Sequence, residues 1–222
     1  IYDRYGIWRV DPAGIKAPVY IAGKRDKKYS CRLEQVDPEE RFIKPGQYVL
    51  LSTFNDDTKD EGLWRAVYDQ DKPLANTMLP LHSDDAHFIS QLRKAKSTEH
   101  YIFLMESFKE SPDLYHWYSN EEGSDGAKLS ATNPQQAQYL WGTSELFRWT
   151  AYNGKPATGI VYKPENFDPK KKYPMIVYFY EKLSNELNDY KEPAPIRSAV
   201  NVPFFVSRGY IIFIPDIEYK VG

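Results

Sequence analysis

The chain has 222 residues, of which 41% are hydrophobic and 27% charged, with 29 Lys and Arg against 31 Asp and Glu for a net charge of −2. That length can bury one large core or two small ones, and charges so nearly balanced and so interspersed exclude the basic footprint of a nucleic-acid binder and an acidic tail. Cys31, the single cysteine, excludes an internal disulfide and a Cys-based zinc site, and no apolar run reaches the roughly 18 residues that a membrane-spanning helix needs.

Aromatic residues make up 15% of the chain, 18 of them Tyr, beside 16 Pro and 12 Gly. This mixture favours many strands joined by turns over a helical bundle. The opening, "IYDRYGIWRV", lacks the charged-then-apolar order of a signal peptide; in a fragment that order would be missing whatever the compartment.

Residues 1 to about 132 read as a series of antiparallel hairpins. "RYGIWRVDPAG" has strand composition and runs into Asp11-Pro12-Ala13-Gly14, where Pro presets one dihedral and Gly permits a positive one. "QYVLLSTF" and "GLWRAVYD" are strand-like runs separated by "NDDTKDE", and "HYIFLMESF" precedes "DLYHWYS" across a turn at Pro112. Between the two pairs, "HFISQLRKAKS" (87–97) places Phe88, Leu92 and Ala95 at helical spacing and predicts a short helix. Repeated short strands with Trp and Tyr fit a sandwich, a barrel or a propeller, and spacing alone does not choose among them.

Beyond residue 132 the texture changes. "TNPQQAQYLWG" offers Asn133 as an N-cap and Pro134 as the first residue of a short helical linker. "ELFRWTAYNGKPATGIVYKP" then holds Asn153-Gly154 between two strand runs, a strong hairpin signal. "YPMIVYFY" (173–180) and "YIIFIPD" (210–216) are apolar on both parities and predict strands covered on both faces, as in the sheet of an α/β domain. The intervening "NVPFFVSRG" predicts a short helix capped by Asn201 and stopped by Gly209. Strand, strand, strand, helix, strand is the beginning of a doubly wound sheet, and in 90 residues it would leave an unpaired apolar edge.

"NPQQAQYLWGTSELFRWTAYNGKPATGIVYKPENFDPKKKYPMIVYFY", followed by "PFFVSRGYIIFIPDIEYKVG", resembles the junction of prolyl oligopeptidase family serine peptidases, the group that contains dipeptidyl peptidase IV and acylaminoacyl peptidases. "DRYGIWRVDPAG", "LLSTFNDDTKDEGLW" and "ESPDLYHW" are similar, more weakly and in the same order, to the last blades of the propellers that precede that junction. The resemblance implies a mixed fold: residues 1–132 as the C-terminal blades of a β-propeller, and residues 133–222 as the first part of an α/β-hydrolase domain that stops before the nucleophile. It implies a fragment of a peptidase acting on short peptides through an acyl-enzyme, without a cofactor, and an exported or periplasmic setting for the intact protein.

That chemistry requires a Ser on a G-x-S-x-G elbow, a His to take its proton and an Asp to orient the His. The only Gly-x-Ser after residue 132, "GTSEL", has Leu146 where the last Gly should stand, and it precedes the first inner strand. All four histidines, His82, His87, His100 and His116, lie in the hairpin region, whereas in α/β-hydrolases Asp and His follow Ser. The chain by itself is therefore expected to be catalytically inactive. One contributor is implied by the resemblance: in the dipeptidyl peptidase branch the Tyr that ends the "YP…Y" strand donates its hydroxyl to the oxyanion hole, and that position is Tyr180. Glu181-Lys182-Leu183 follows it in place of the His-Gly-Gly of other branches. Read from the residues alone, Tyr180 is more readily an aromatic at a sheet edge that packs its ring in the core.

Other groupings carry plainer readings. His82, Asp84, Asp85 and His87 in "HSDDAHF" are close in sequence, but two His five apart fall on opposite faces of a strand, so a polar loop is preferred over a metal site. "NDDTKDEG" lacks the alternating ligands and closing Glu of a calcium loop. Asp216 ends a strand where functional loops start, although Pro-Asp there is commonly turn chemistry. Trp64, Trp117 and Trp141 read as core anchors and "KKK" (170–172) as a solvated turn. The alternative to a peptidase fragment is a non-catalytic propeller module for binding or scaffolding. In either case exposed sheet edges could be capped by a second copy, giving a homodimer through strand pairing or swapping.

Overall fold

The computed structural model describes residues 1–23, 28–70, 72–74, 78–84, 87–118, 126–195 and 197–218. The chain divides into two compact units, residues 1–105 with 114–130 and residues 106–113 with 131–222. The structure is mostly β-sheet.

The first unit contains a short antiparallel ribbon, β1 (Ile7–Arg9) with β2 (Val19–Ala22), and two four-stranded sheets. One sheet runs in chain order through β3 (Tyr29–Glu34), β4 (Tyr48–Asn55), β5 (Glu61–Val67) and β6 (Leu79–Asp84). The other runs in chain order through β7 (Phe88–Lys94), β8 (His100–Glu106), β9 (Asp113–Tyr118) and β10 (Ala127–Lys128). Strands that pair with their neighbours in the chain need mostly local contacts, so each sheet is specified by its own segment of sequence.

Packing follows from the alternation of side chains along β4. Val49 and Leu51 face one core with Ile7, Ala22, Cys31 and Ala66. Leu50 points the other way, joining Leu63 and, from the following sheet, Tyr101, Phe103, Met105, Tyr115 and Trp117. The β3–β6 sheet is thus buried on both faces, as successive stacked sheets require. The β4–β5 loop is polar and closed on itself: the Asn55 side-chain oxygen accepts the Asp57 and Thr58 amides at 2.8 and 3.2 Å. At the Asp11 turn the Gly14 amide donates to the Asp11 carbonyl, with Gly14 at φ +69°.

One sequence expectation is overturned here. Residues 88–94 form strand β7, not a helix. Gln91 sits at φ +52°, a backbone irregularity that breaks strict alternation, so Ile89 and Leu92, three residues apart, both pack on the same core. A strand carrying such an irregularity spaces its apolar residues as a helix would.

In the second unit, β11 (Thr143–Thr150) and β12 (Pro156–Lys163) form an antiparallel hairpin. The turn over Ala151–Gly154 is closed by the Gly154 amide on the Ala151 carbonyl, with Gly154 at φ +79°. β14 (Ile211–Pro215) lies antiparallel to β12, and β13 (Met175–Val177) runs parallel to β14, giving the order β11-β12-β14-β13. The connection between β13 and β14 contains α1 (Val202–Val206), where the Asn201 side chain accepts the Phe204 amide at 3.1 Å and Gly209 follows at φ +83°. At the linker, Pro134–Gln138 forms a 3₁₀ turn. Asn133 does not cap it with its side chain; its amide group donates to Gln136 and to the Tyr190 hydroxyl instead.

The core of this unit lies on one face of the sheet. Ile160, Tyr162, Ile212 and Ile214 pack against Val202 and Val206 of α1 and against Phe108, Trp141 and Leu187. On the opposite face Val161 is buried and Phe213 half-buried, but Met175 and Val177 of β13 and Phe147 of β11 are exposed, which corrects the expectation of a β13 covered on both sides among the described residues. β13 is also shorter than its apolar run, ending at Val177 and leaving Phe179 and Tyr180 outside the strand.

Candidate functional site

The exit of β13 is built by its pairing with β14. The ladder Met175↔Ile211, Ile176↔Ile212, Val177↔Phe213 is extended by the Tyr178 amide, which donates to the Phe213 carbonyl at 3.0 Å. The chain then bends through Phe179 and Tyr180. It is caught again at Glu181, whose carbonyl accepts the Ile217 amide at 3.0 Å. Tyr180 stands 73% exposed at the exit of the strand.

A second tie follows three residues later. Ser184, fully buried at the start of a 3₁₀ turn (Ser184–Glu186), donates its amide to Asp216 Oδ1 at 2.8 Å and its hydroxyl to Asp216 Oδ2 at 2.6 Å. The Asp216 amide in turn donates to the Thr158 carbonyl of β12 at 2.9 Å. Asp216 therefore accepts both polar hydrogens of a buried serine, which satisfies the groups that burial would otherwise penalise. Its observed role is to close a loop.

Behind this loop lies a carboxylate-rich cluster. Lys191 Nζ sits 2.6 Å from Glu186 and 3.6 Å from Asp189, and the Tyr190 amide donates to Glu106 at 3.0 Å. Burial pushes the carboxyls of Asp189 and Glu106 above their ordinary range. Tyr190 stacks on Trp141, whose indole N–H donates to the Phe108 carbonyl. Trp141 is a core anchor, as its sequence context indicates, and so are Trp117 and Trp64, the latter half-buried with its indole on the Thr53 hydroxyl.

The remaining sequence candidates separate. Ser144 of "GTSEL" lies within β11, opposite Tyr162, on a regular antiparallel ladder and not on a strand-to-helix turn. His87, His100 and His116 belong to the first unit, where His100 Nδ1 and His116 Nε2 are hydrogen-bonded to each other at 2.7 Å. The side chains of His82, Asp84 and Asp85 lie outside the described residues; among the described residues no group of three or more His, Cys, Asp or Glu could hold a metal ion. Burial pushes the Cys31 thiol up to about 11, so it is no nucleophile at neutral pH. Sequence reasoning missed the Ser184–Asp216 pair, because a serine in a loop 32 residues away carries no signal of its partner.

No helix of the described residues is long and apolar enough to cross a membrane. No family model matches the sequence, and no curated protein matches it. Solved structures share its fold. The chain is similar to the dipeptidyl peptidase 4 of Porphyromonas gingivalis (16% identity, TM-score 0.58), covering 95% of this chain and 27% of that one. It is equally similar to a putative dipeptidyl aminopeptidase IV from Bacteroides ovatus (16%, TM-score 0.57, 95% and 28%). It also resembles the acylaminoacyl peptidase of Pyrococcus horikoshii (16%, TM-score 0.51, 86% and 26%). The chain thus spans about a quarter of the length of the peptidases whose fold it shares, and at these identities the likeness is one of fold.

Proposed function

We propose that this chain is part of a serine-type peptidase of the prolyl oligopeptidase kind, in which the stacked meanders are the last blades of a β-propeller and the mixed sheet is the beginning of the α/β-hydrolase domain. The observation that carries this reading is the fold match to two such peptidases, each covering 95% of the chain. Residues outside these 222 supply the nucleophile, base and acid, so the chain alone is inactive toward a peptide.

In this reading Tyr180 supplies the chain's own share of the chemistry. When a serine alkoxide adds to the scissile carbonyl, negative charge develops on the carbonyl oxygen, and a preorganised donor that meets it there lowers the barrier. An exposed phenol just past a strand end, on a backbone tied to the sheet at residues 178 and 181, supports reading Tyr180 as that donor. The substrate is a short peptide, cleaved as a dipeptide or oligopeptide.

The test is Tyr180→Phe in the polypeptide that carries the triad. Loss of one oxyanion donor lowers kcat by roughly 10²–10³-fold while KM changes little. A Tyr180→Phe enzyme with the parent kcat removes Tyr180 from the chemistry.

A further inference from the structure

We propose that Asp216, acting through Ser184, is the positioning residue that holds the Tyr180 hydroxyl in register with the reaction; this rests on the reading of Tyr180 as an oxyanion donor. Tyr180 itself is held by little. Its side chain is exposed, and the strand that carries it has ended three residues earlier. What fixes the bend is backbone on either side. On the near side the Tyr178 amide reaches the Phe213 carbonyl, and on the far side the Glu181 carbonyl receives the Ile217 amide.

A third tie follows at residue 184, and it is made by a side chain. Ser184 gives both of its polar hydrogens to one carboxylate, at 2.8 and 2.6 Å, from a fully buried position. Hydrogen bonds to an ionised acceptor are roughly twice as strong as neutral ones. Asp216 is in turn anchored to β12 through Thr158, at the end of the central strand β14. The Tyr180 loop is thereby clamped to the sheet at residues 178, 181 and 184. Ile217, the residue after the clamp carboxylate, makes the middle tie, so two of the three ties come from adjacent residues.

The precision required explains the device. A donor displaced by about 1 Å from the developing charge forfeits a factor on the order of 10², and supporting groups hold productive geometry only when their own partners are fixed. Turn chemistry at a Pro-Asp dipeptide would need only one local amide; here a carboxylate at 216 reaches a serine 32 residues earlier.

A double-mutant cycle in the triad-bearing polypeptide distinguishes positioning from stability. Asp216→Ala is expected to lower kcat at least about 10-fold with KM nearly unchanged, and Asp216→Asn, which retains one acceptor oxygen, is expected to fall between it and the parent. In a Tyr180→Phe background, Asp216→Ala should lower kcat by less than about 2-fold, because the group it positions is already gone. Equal losses in both backgrounds would reduce Asp216 to a structural residue and overturn the proposal. So would an unchanged kcat in Asp216→Ala beside a depressed one in Tyr180→Phe, and that result leaves the peptidase reading standing. An unchanged kcat in Tyr180→Phe itself fells both. Should Asp216→Ala fail to fold, Ser184→Ala removes only the hydroxyl bond and is carried through the same cycle, with the same non-additivity expected and the same additivity fatal.

Discussion

"QYVLLSTF" in the first unit and "YPMIVYFY" in the second are comparably apolar, yet the structure treats them differently. In β4 neighbouring residues are buried in opposite directions, Leu50 in one core and Leu51 in the other, because a sheet or ribbon stacks on each face. In β13 and the residues after it, Ile176 and Tyr178 pack inward while Met175, Val177, Phe179 and Tyr180 are exposed. Apolarity on both parities states that a strand can be covered twice. Whether it is depends on what the rest of the fold supplies.

The most forceful way to break this comparison is to hollow out each core in turn. Leu51 and Ile212 are both fully buried on central strands of their respective units. Leu51→Ala and Ile212→Ala should each cost about 2–5 kcal/mol, measured by urea unfolding. Amide exchange separates their consequences: Ile212→Ala should expose β12 and β14 and spare β4 and β5, with the reverse for Leu51→Ala. Equal loss of protection in both units from either variant would mean that they unfold as one.

A smaller effect sharpens the account of the second unit. Gly142 at φ +93° enters β11, and a Cβ there would collide with the Lys163 carbonyl and the Val206 side chain. Gly154, at φ +79°, faces open space. Gly154→Ala should cost about 1–2 kcal/mol from the left-handed backbone alone, and Gly142→Ala more, by the cost of moving packed atoms. Thermal unfolding of the two variants orders them, and equal melting points would show that the α1–sheet packing yields readily.

How much of this was readable in the sequence depended on how local the cause was. The β4–β5, β8–β9 and β11–β12 hairpins, the Asn201 cap and the positive dihedral at Gly154 are consequences of neighbouring residues, and each has a sequence signature. The β7 strand was obscured by Gln91, whose dihedral places Ile89 and Leu92 on one face at helical spacing. At the candidate site, the sequence suggested a strand running to Tyr180, and the strand ends three residues earlier. The buried Ser184 was not legible, because its partner comes from the far end of β14. A carboxylate's choice among distant hydroxyls is made by topology.

The smallest expected effect opposes the two units by pH. In the second unit, burial raises the pKa of Glu106 above its ordinary 4.5, despite the amide of Tyr190. A folded state that binds the proton more tightly than the unfolded one loses stability as pH rises from that ordinary value through the raised one. In the first unit, burial also works against Glu99, but hydrogen bonds from Tyr101 and Lys94 outweigh it and hold the carboxyl below its ordinary value. Its contribution is complete above 4.5 and is lost as pH falls through the lowered value. Glu106→Gln should therefore stabilise the second unit near neutral pH, with the gain vanishing on acidification. Glu99→Gln should weaken the first unit near neutral pH, with the deficit vanishing at lower pH still. Melting curves of the two variants between about pH 7 and pH 3 read both signs, and a shift of the same sign in each would show that burial, not pairing, governs the carboxylates of the first unit as well.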